Sequence, residues 1–264
     1  MKITEVTMTP DLAKAYLERN THNRPLDKRH VKFLSREMEA GRWKRNGDTI
    51  CMNGTRLIDG QHRLWAIIES GASVQVLLVE GLDDDVFDTK DFGKKRSAAD
   101  VLAIKGEKHY ALLAAAVVFV ERYMTGQLEQ AKRTYSPVEV EELVAKYGDD
   151  LRASVVFCGN LGTKRLVANS VMAGLHYIFA KFDKEQADIF WKSLIAGHGL
   201  EEDSPVFVLR ERLVSNSMAK GKVKPEYLAA LCIRAWNHMR AGTTVKCLKF
   251  QESGKTAQAF PLAR

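Results

Sequence analysis

Residues 56–66 read Arg-Leu-Ile-Asp-Gly-Gln-His-Arg-Leu-Trp-Ala, which predicts a short strand, a turn at Gly60 and a helix that begins at Gln61. The backbone N–H groups of a helix's first turn, together with the positive end of its dipole, favour an anion. Gly60 has no Cβ and adopts positive φ readily, so the main chain can approach a phosphate closely there. Arg63 offers a planar fork of donors suited to phosphate oxygens, and His62 offers a donor or proton carrier near neutral pH. These residue types predict a phosphate-binding turn, and the alternative is a plain structural turn.

Further motifs flank this turn on both sides. Asn23-Arg24-Pro25-Leu26 and residues 41–50 precede it, and Asp91-Phe92-Gly93-Lys94-Lys95-Arg96-Ser97 follows it. Together with Asp-Gly-Gln-His-Arg at 59–63, their order and spacing resemble the ParB/sulfiredoxin-like superfamily, whose members with this box are often encoded by bacteriophages and mobile elements. The resemblance covers roughly the first hundred residues.

The resemblance implies roles for individual residues. In ParB proteins the matching box contacts the triphosphate of a bound nucleotide, and in archaeal free serine kinases a similar box serves phosphoryl transfer. By similarity, the cofactors are Mg²⁺ and a nucleoside di- or triphosphate, with His62 and Asp59 as catalytic candidates and Asp48 and Asp91 as candidate metal ligands. The residues implied to bind the nucleotide are Asn23, Arg24, Gly60, Gln61, His62, Arg63 and Arg96.

Two departures from the family pattern argue against thiol chemistry and against the mechanism of ParB proteins. Sulfiredoxins carry a catalytic Cys within their box, whereas this box has none, which disfavours thiol chemistry. ParB proteins usually show an Arg-Arg pair where this chain has His62-Arg63, which argues against a preference for CTP and against the ParB clamp mechanism. The four cysteines are widely separated, which indicates buried thiols rather than a zinc site or a disulfide framework.

The formal net charge of +7 is compatible with a polyanionic partner, and DNA is the expected one. Basic side chains that surround an aromatic residue, as around Trp43, can hold a nucleic-acid backbone and stack a base. The alternatives are a solvated charged turn and a Trp43 that packs in the core, and core packing is favoured for Trp43. The candidate nucleic-acid contacts are Arg42, Lys44, Arg45, Lys94, Lys95, Lys220 and Lys222.

Periodicity divides the chain into a mixed first part and a helical second part, an α+β protein. We predict a ParB/sulfiredoxin-like mixed α/β domain over 1–106 and an all-helical domain, for DNA or partner binding, over 107–264. The first part is predicted to hold strands at 3–8, 49–53, 56–58 and 74–80, and helices at 10–20, 27–40, 61–70 and from Ser97 to about 106. The second part is predicted to hold helices at 107–125, 137–147, 149–158, 165–182, 184–196, 204–217 and 225–241. Residues 245–250 alternate like a strand that either rejoins the sheet or dangles.

The longest apolar stretch, Ala111 to Val120, is about half of the roughly 20 residues that span a bilayer. The amino terminus has no sustained apolar core like that of a signal peptide. The sequence therefore predicts a protein of the bacterial host's cytoplasm without a membrane partner, as a monomer or a homodimer.

Three functions remain open at this point. In the first, the chain is an NTPase or phosphotransferase in a DNA-related process of a phage or mobile element. In the second, the box binds phosphate without chemistry, and the chain is a DNA-binding regulator or accessory protein. In the third, Asp48, Asp59 and Asp91 serve a ParB-like nuclease, which is less favoured because metal-dependent nucleases usually need several convergent carboxylates.

Overall fold

The computed structural model describes residues 1–21, 23, 25–83, 96–130, 133–161, 166–218, 223–252 and 258–264. Within these ranges it has four strands and ten helices, so the protein is mixed α and β. The chain divides into two compact units, Met1–Lys95 and Arg96–Arg264. No helix in the described part of the chain is long and apolar enough to cross a membrane.

The first unit is built on a mixed sheet with the strand order β1-β4-β2-β3. β1 (Lys2–Met8) pairs antiparallel with β4 (Val74–Glu80), and β2 (Thr49–Asn53) pairs parallel with β4 and antiparallel with β3 (Arg56–Asp59). A parallel pair needs a crossover connection. Between β2 and β4 that connection contains β3 and α3 (Gln61–Ser70), so the predicted phosphate-binding turn lies inside the crossover.

Helices α1 (Pro10–Leu17) and α2 (Lys28–Glu39) both pack against α3. Alternation along β2 places Ile50 and Met52 in the core shared with these helices, whereas Cys51 belongs to a separate small apolar cluster. Thr9 is the N-cap of α1, since its Oγ1 accepts a hydrogen bond from the Leu12 N–H, and the helix predicted from residue 27 begins at Lys28 with Asp27 as its N-cap.

In the described part of the second unit, every regular element is a helix. The helices are α4 (Ala98–Ile104), α5 (Tyr110–Met124), α6 (Pro137–Asn160), α7 (Asn169–Ala180), α8 (Lys184–Ala196), α9 (Pro205–Met218) and α10 (Pro225–Arg240). α7 is central, since it packs against α5, α6, α8 and α10 and every residue from Val171 to Phe179 is buried.

Three details of the second unit bear on the predicted elements. Gly148 has a non-helical backbone (φ 65°, ψ −153°), so α6 consists of two helical stretches, as predicted. α4 packs against α5 and α6 and belongs to the second unit, whereas the sequence placed the division after it, near residue 106. Residues 245–250 are not a strand; Leu248 and Phe250 instead pack into the helical core, which explains their alternation.

The corner between β3 and α3 has room only for glycine at position 60. Gly60 is the N-cap of α3 and has φ +108°, a value that residues with a Cβ rarely adopt. A Cβ there would also lie 2.5 Å from Ile50 Cδ1 and 3.3 Å from Ile50 Cα. The start of α3 therefore lies directly against the backbone of β2.

We expect Gly60→Ala to lower the free energy of unfolding of the first unit by about 2–4 kcal/mol, because backbone strain and overpacking both contribute. Gly71→Ala is the matched control at the other end of α3, since its φ is +67° but a Cβ added there would meet nothing within 4 Å. This control is expected to lose only about 1–2 kcal/mol. Urea denaturation followed by hydrogen exchange of the β2 and α3 amides measures both losses, and equal losses would contradict the close approach to Ile50.

Candidate functional site

Asp59, the last residue of β3, joins the turn to the first turn of α3. Its Oδ1 accepts a hydrogen bond from the Gly60 N–H at 2.6 Å, and its Oδ2 accepts one from Arg63 Nη2 at 2.7 Å. Arg63 Nη1 lies 3.6 Å from Asp48 Oδ2, which is too long for a hydrogen bond. Arg63 is thus held at the helix start by one carboxylate and approached by a second.

Gln61 and Asn23, two predicted nucleotide-binding residues, are brought together through Asn20. Asn20 Nδ2 donates to Gln61 Oε1 at 3.2 Å, and Asn23 Nδ2 donates to Asn20 Oδ1 at 2.6 Å and to the Leu57 carbonyl oxygen at 2.8 Å. Gln61 is buried. These amides attach the segment that follows α1 to β3 and to the start of α3, so both residues position the corner.

His62 is buried and links the first turns of α2 and α3. Its Nε2 accepts a hydrogen bond from the Asp27 N–H at 3.0 Å, so in the neutral ring the proton is on Nδ1. The Asp27 carboxylate accepts from the backbone N–H groups of His30 and Arg29, and these bonds hold its pKa below the usual value. In this arrangement Nδ1 of His62 is a hydrogen-bond donor and not a proton acceptor.

The predicted metal ligands are only partly described. Asp91 lies outside the described residues, whereas the Asp48 side chain is 54% exposed beside Arg63. Among the described residues, no group of three or more His, Cys, Asp or Glu side chains is arranged to hold a metal ion. Mg²⁺ commonly uses one or two carboxylates together with substrate phosphates, and Asp48 fits that arrangement. Asp59 accepts a hydrogen bond on each of its oxygens, from the Gly60 N–H and from Arg63.

The predicted nucleic-acid contacts differ in their surroundings. Arg42 donates to both carboxylate oxygens of Glu37, at 3.0 and 2.8 Å, and both side chains are largely buried. Arg45 pairs with Glu5 at the surface, and Lys44 is exposed. Trp43 packs against the core of the first unit, as favoured from the sequence.

The other predicted site residues do not belong to the described part of the first unit. Arg96 is exposed and lies in the second unit. Arg24, Lys94, Lys95, Lys220 and Lys222 lie outside the described residues.

No family model, curated protein or solved structure matches this chain.

We expect Arg42→Ala to lower the free energy of unfolding by about 3 kcal/mol, because it removes one partner of a largely buried ion pair. Arg45→Ala is the matched control, since it breaks an exposed pair and is expected to lose less than about 1 kcal/mol. Urea denaturation with hydrogen exchange in the first unit measures both. If Arg42→Ala lowers the free energy of unfolding no more than Arg45→Ala does, the Arg42 side chain has no structural role and remains a candidate nucleic-acid contact.

Proposed function

We propose that the first unit binds the phosphates of a nucleoside di- or triphosphate at the corner formed by Gly60, Gln61, His62 and Arg63. The main support is the Arg63 guanidinium, which Asp59 holds at the first turn of α3 beside Gly60, a residue without a Cβ. A helix start and a guanidinium both favour the negative charge of phosphate. The resemblance to ParB/sulfiredoxin-like proteins leads to the same expectation.

The two carboxylates near Arg63 would serve different purposes. Asp59 already accepts a hydrogen bond from Nη2 and would keep it, while Nη1 stays near the half-exposed Asp48, 3.6 Å from its Oδ2. A phosphate oxygen would accept from Nη1, and Asp48 would hold the Mg²⁺ that accompanies the nucleotide. The Mg²⁺ would neutralise part of the negative charge on the phosphates.

The proposed reaction is transfer of the terminal phosphoryl group to water or another acceptor. The acceptor oxygen bonds to the terminal phosphorus, the bond to the bridging oxygen breaks, and the nucleotide leaves shortened by one phosphate. Most of the rate would come from positioning and charge neutralisation, which Arg63 and the α3 amides provide. His62 would donate a hydrogen bond from Nδ1 to the departing oxygen, since the Asp27 N–H engages its other nitrogen, and the proton of the acceptor would pass to solvent.

A DNA-binding regulator or accessory protein without chemistry is the second candidate. The net charge of +7 and the exposed Lys44 and Arg45 favour it. A ParB-like nuclease is supported less, because the described residues include no cluster of three metal-binding side chains.

We expect one member of a panel of ATP, ADP, CTP and GTP, at millimolar concentration with Mg²⁺, to raise the melting temperature. A ligand at a hundred times its Kd stabilises the native state by about 2.7 kcal/mol, which corresponds to a rise of about 5–10 °C. Arg63→Ala is expected to abolish this rise, because it removes the guanidinium that binds phosphate. Arg45→Ala, which breaks an exposed Arg–Glu pair of the same unit, is the control and is expected to retain it.

Nucleotide binding and phosphoryl transfer would each be contradicted by a different result. An unchanged melting temperature with every nucleotide would overturn binding and favour the DNA-binding alternative. Stabilisation without any change in the ³¹P spectrum of the bound nucleotide, even with candidate acceptors present, would leave the binding site intact and overturn the chemistry.

A further inference from the structure

Helix α2 carries a cluster of basic side chains on the side that faces away from the core of the first unit. Val31 and Met38 are buried in that core. Lys28, Arg29 and Lys32, in contrast, are exposed. With 3.6 residues per turn, Lys28 and Lys32 are neighbours on the helix surface and Arg29 lies beside them. These three residues, the α2 basic cluster, therefore gather three formal positive charges on little more than one turn of the helix.

The α2 basic cluster is not neutralised by ion pairs. In the part of the chain that the structure describes, none of its three side chains lies within 4 Å of a carboxylate oxygen. Other basic side chains of the first unit do have such partners, namely Lys14, Arg42, Arg45 and Arg63. The donors of the α2 basic cluster are thus open to an anion from outside the fold.

The acidic residues on and next to α2 are engaged by other groups. The Asp27 carboxylate, which caps the helix, accepts from two backbone N–H groups at 2.9 and 3.3 Å. Glu37 is buried and pairs with Arg42. Glu39, near the other end of the helix, accepts from Ser35 Oγ at 3.2 Å. A polyanion that approaches the α2 basic cluster has no carboxylate to displace from it.

Phe33 adds an aromatic ring beside the α2 basic cluster, one turn after Arg29. It is half-buried, yet it belongs to none of the three apolar clusters that the described residues form. Its ring stacks on the His30 ring, with centroids 6.1 Å apart and planes 13° apart. The Arg36 guanidinium lies 5.7 Å from its centre. Basic side chains around an aromatic ring are the combination on which nucleic-acid bases stack.

We propose that this face of α2 binds single-stranded nucleic acid. The α2 basic cluster pairs with backbone phosphates, and an unpaired base stacks on Phe33. A duplex fits less well, because its bases are already stacked on one another. Since phosphates and base faces are common to every sequence, the binding has no strong sequence preference. The surface does not depend on the nucleotide site at the corner, and it gives the second candidate function a location on the fold.

Fluorescence anisotropy with the full chain and a short labelled oligothymidylate tests the proposal over a range of salt concentrations. If three phosphates are bound, the logarithm of the association constant falls with the logarithm of the salt concentration with a slope of about −2. An abasic strand of the same length has the phosphates but no bases, and we expect it to bind about tenfold more weakly. A duplex of the same length is also expected to bind more weakly than the single strand.

Three variants locate the binding. Lys32→Ala is expected to weaken the oligothymidylate by about fivefold at about 0.1 M salt and to reduce the slope by about 0.7, because one phosphate contact is lost. Lys2→Ala is the matched control, since Lys2 is likewise exposed and without an ion pair in the described part of the first unit, but lies on β1. Phe33→Leu keeps an apolar side chain without the ring, so we expect it to weaken the oligothymidylate by about tenfold and to leave the affinity for the abasic strand unchanged.

Several results would overturn the proposal. These are the absence of oligothymidylate binding at low salt, equal affinity of the native protein for the oligothymidylate and the abasic strand, tighter binding of the duplex, and equal losses in Lys32→Ala and Lys2→Ala. If Phe33→Leu does not fold, the abasic strand and the two lysine variants still decide the question. None of these results bears on the corner, which the nucleotide panel tests separately.

Discussion

The Asp59 carboxylate is the contact on which the geometry of the first unit's corner depends. One oxygen accepts from the Gly60 amide and fixes the turn, and the other accepts from Arg63 and fixes the direction of its guanidinium. Since Gly60 leaves no space between the start of α3 and Ile50, the turn cannot relax toward β2. The Arg63 guanidinium is therefore fixed at a helix start, and in the proposed site such pre-ordering would lower the cost of binding an anion. Further hydrogen bonds hold the same corner. They link Asn20 to Gln61 and Asn23, and His62 to the Asp27 N–H.

Much of the fold follows from local patterns along the chain. The strands predicted at 49–53 and 74–80 and the helices predicted at 61–70 and 184–196 have the bounds that the structure has. The caps at Thr9 and Ser97 were also readable, because a short polar side chain before an apolar helical pattern marks a helix start. Asp27, in contrast, was placed inside the predicted helix and is its cap. The prediction for residues 245–250 was wrong about the strand, because alternating burial also arises when an irregular segment packs on helices.

The site is less predictable, because its partners are distant in sequence. The box showed that Gly60 and Arg63 belong to one turn, but no local pattern connects Asn20 to Gln61 or Asp27 to His62. Arg42 illustrates the same difficulty: its basic neighbours favoured a nucleic-acid contact, whereas Glu37 engages it within the fold. His176 and Asp188 lie on different helices, and only tertiary packing brings them together.

The most direct measurement of the central claim is the backbone ¹H–¹⁵N spectrum of the protein during titration with Mg²⁺ and each nucleotide. If the corner binds phosphate, the amide resonances of Gln61, His62 and Arg63, together with that of Gly60, shift most strongly and saturate together. If a nucleotide saturates the protein while these four amides stay in place, the phosphates bind elsewhere and the account of the corner is wrong.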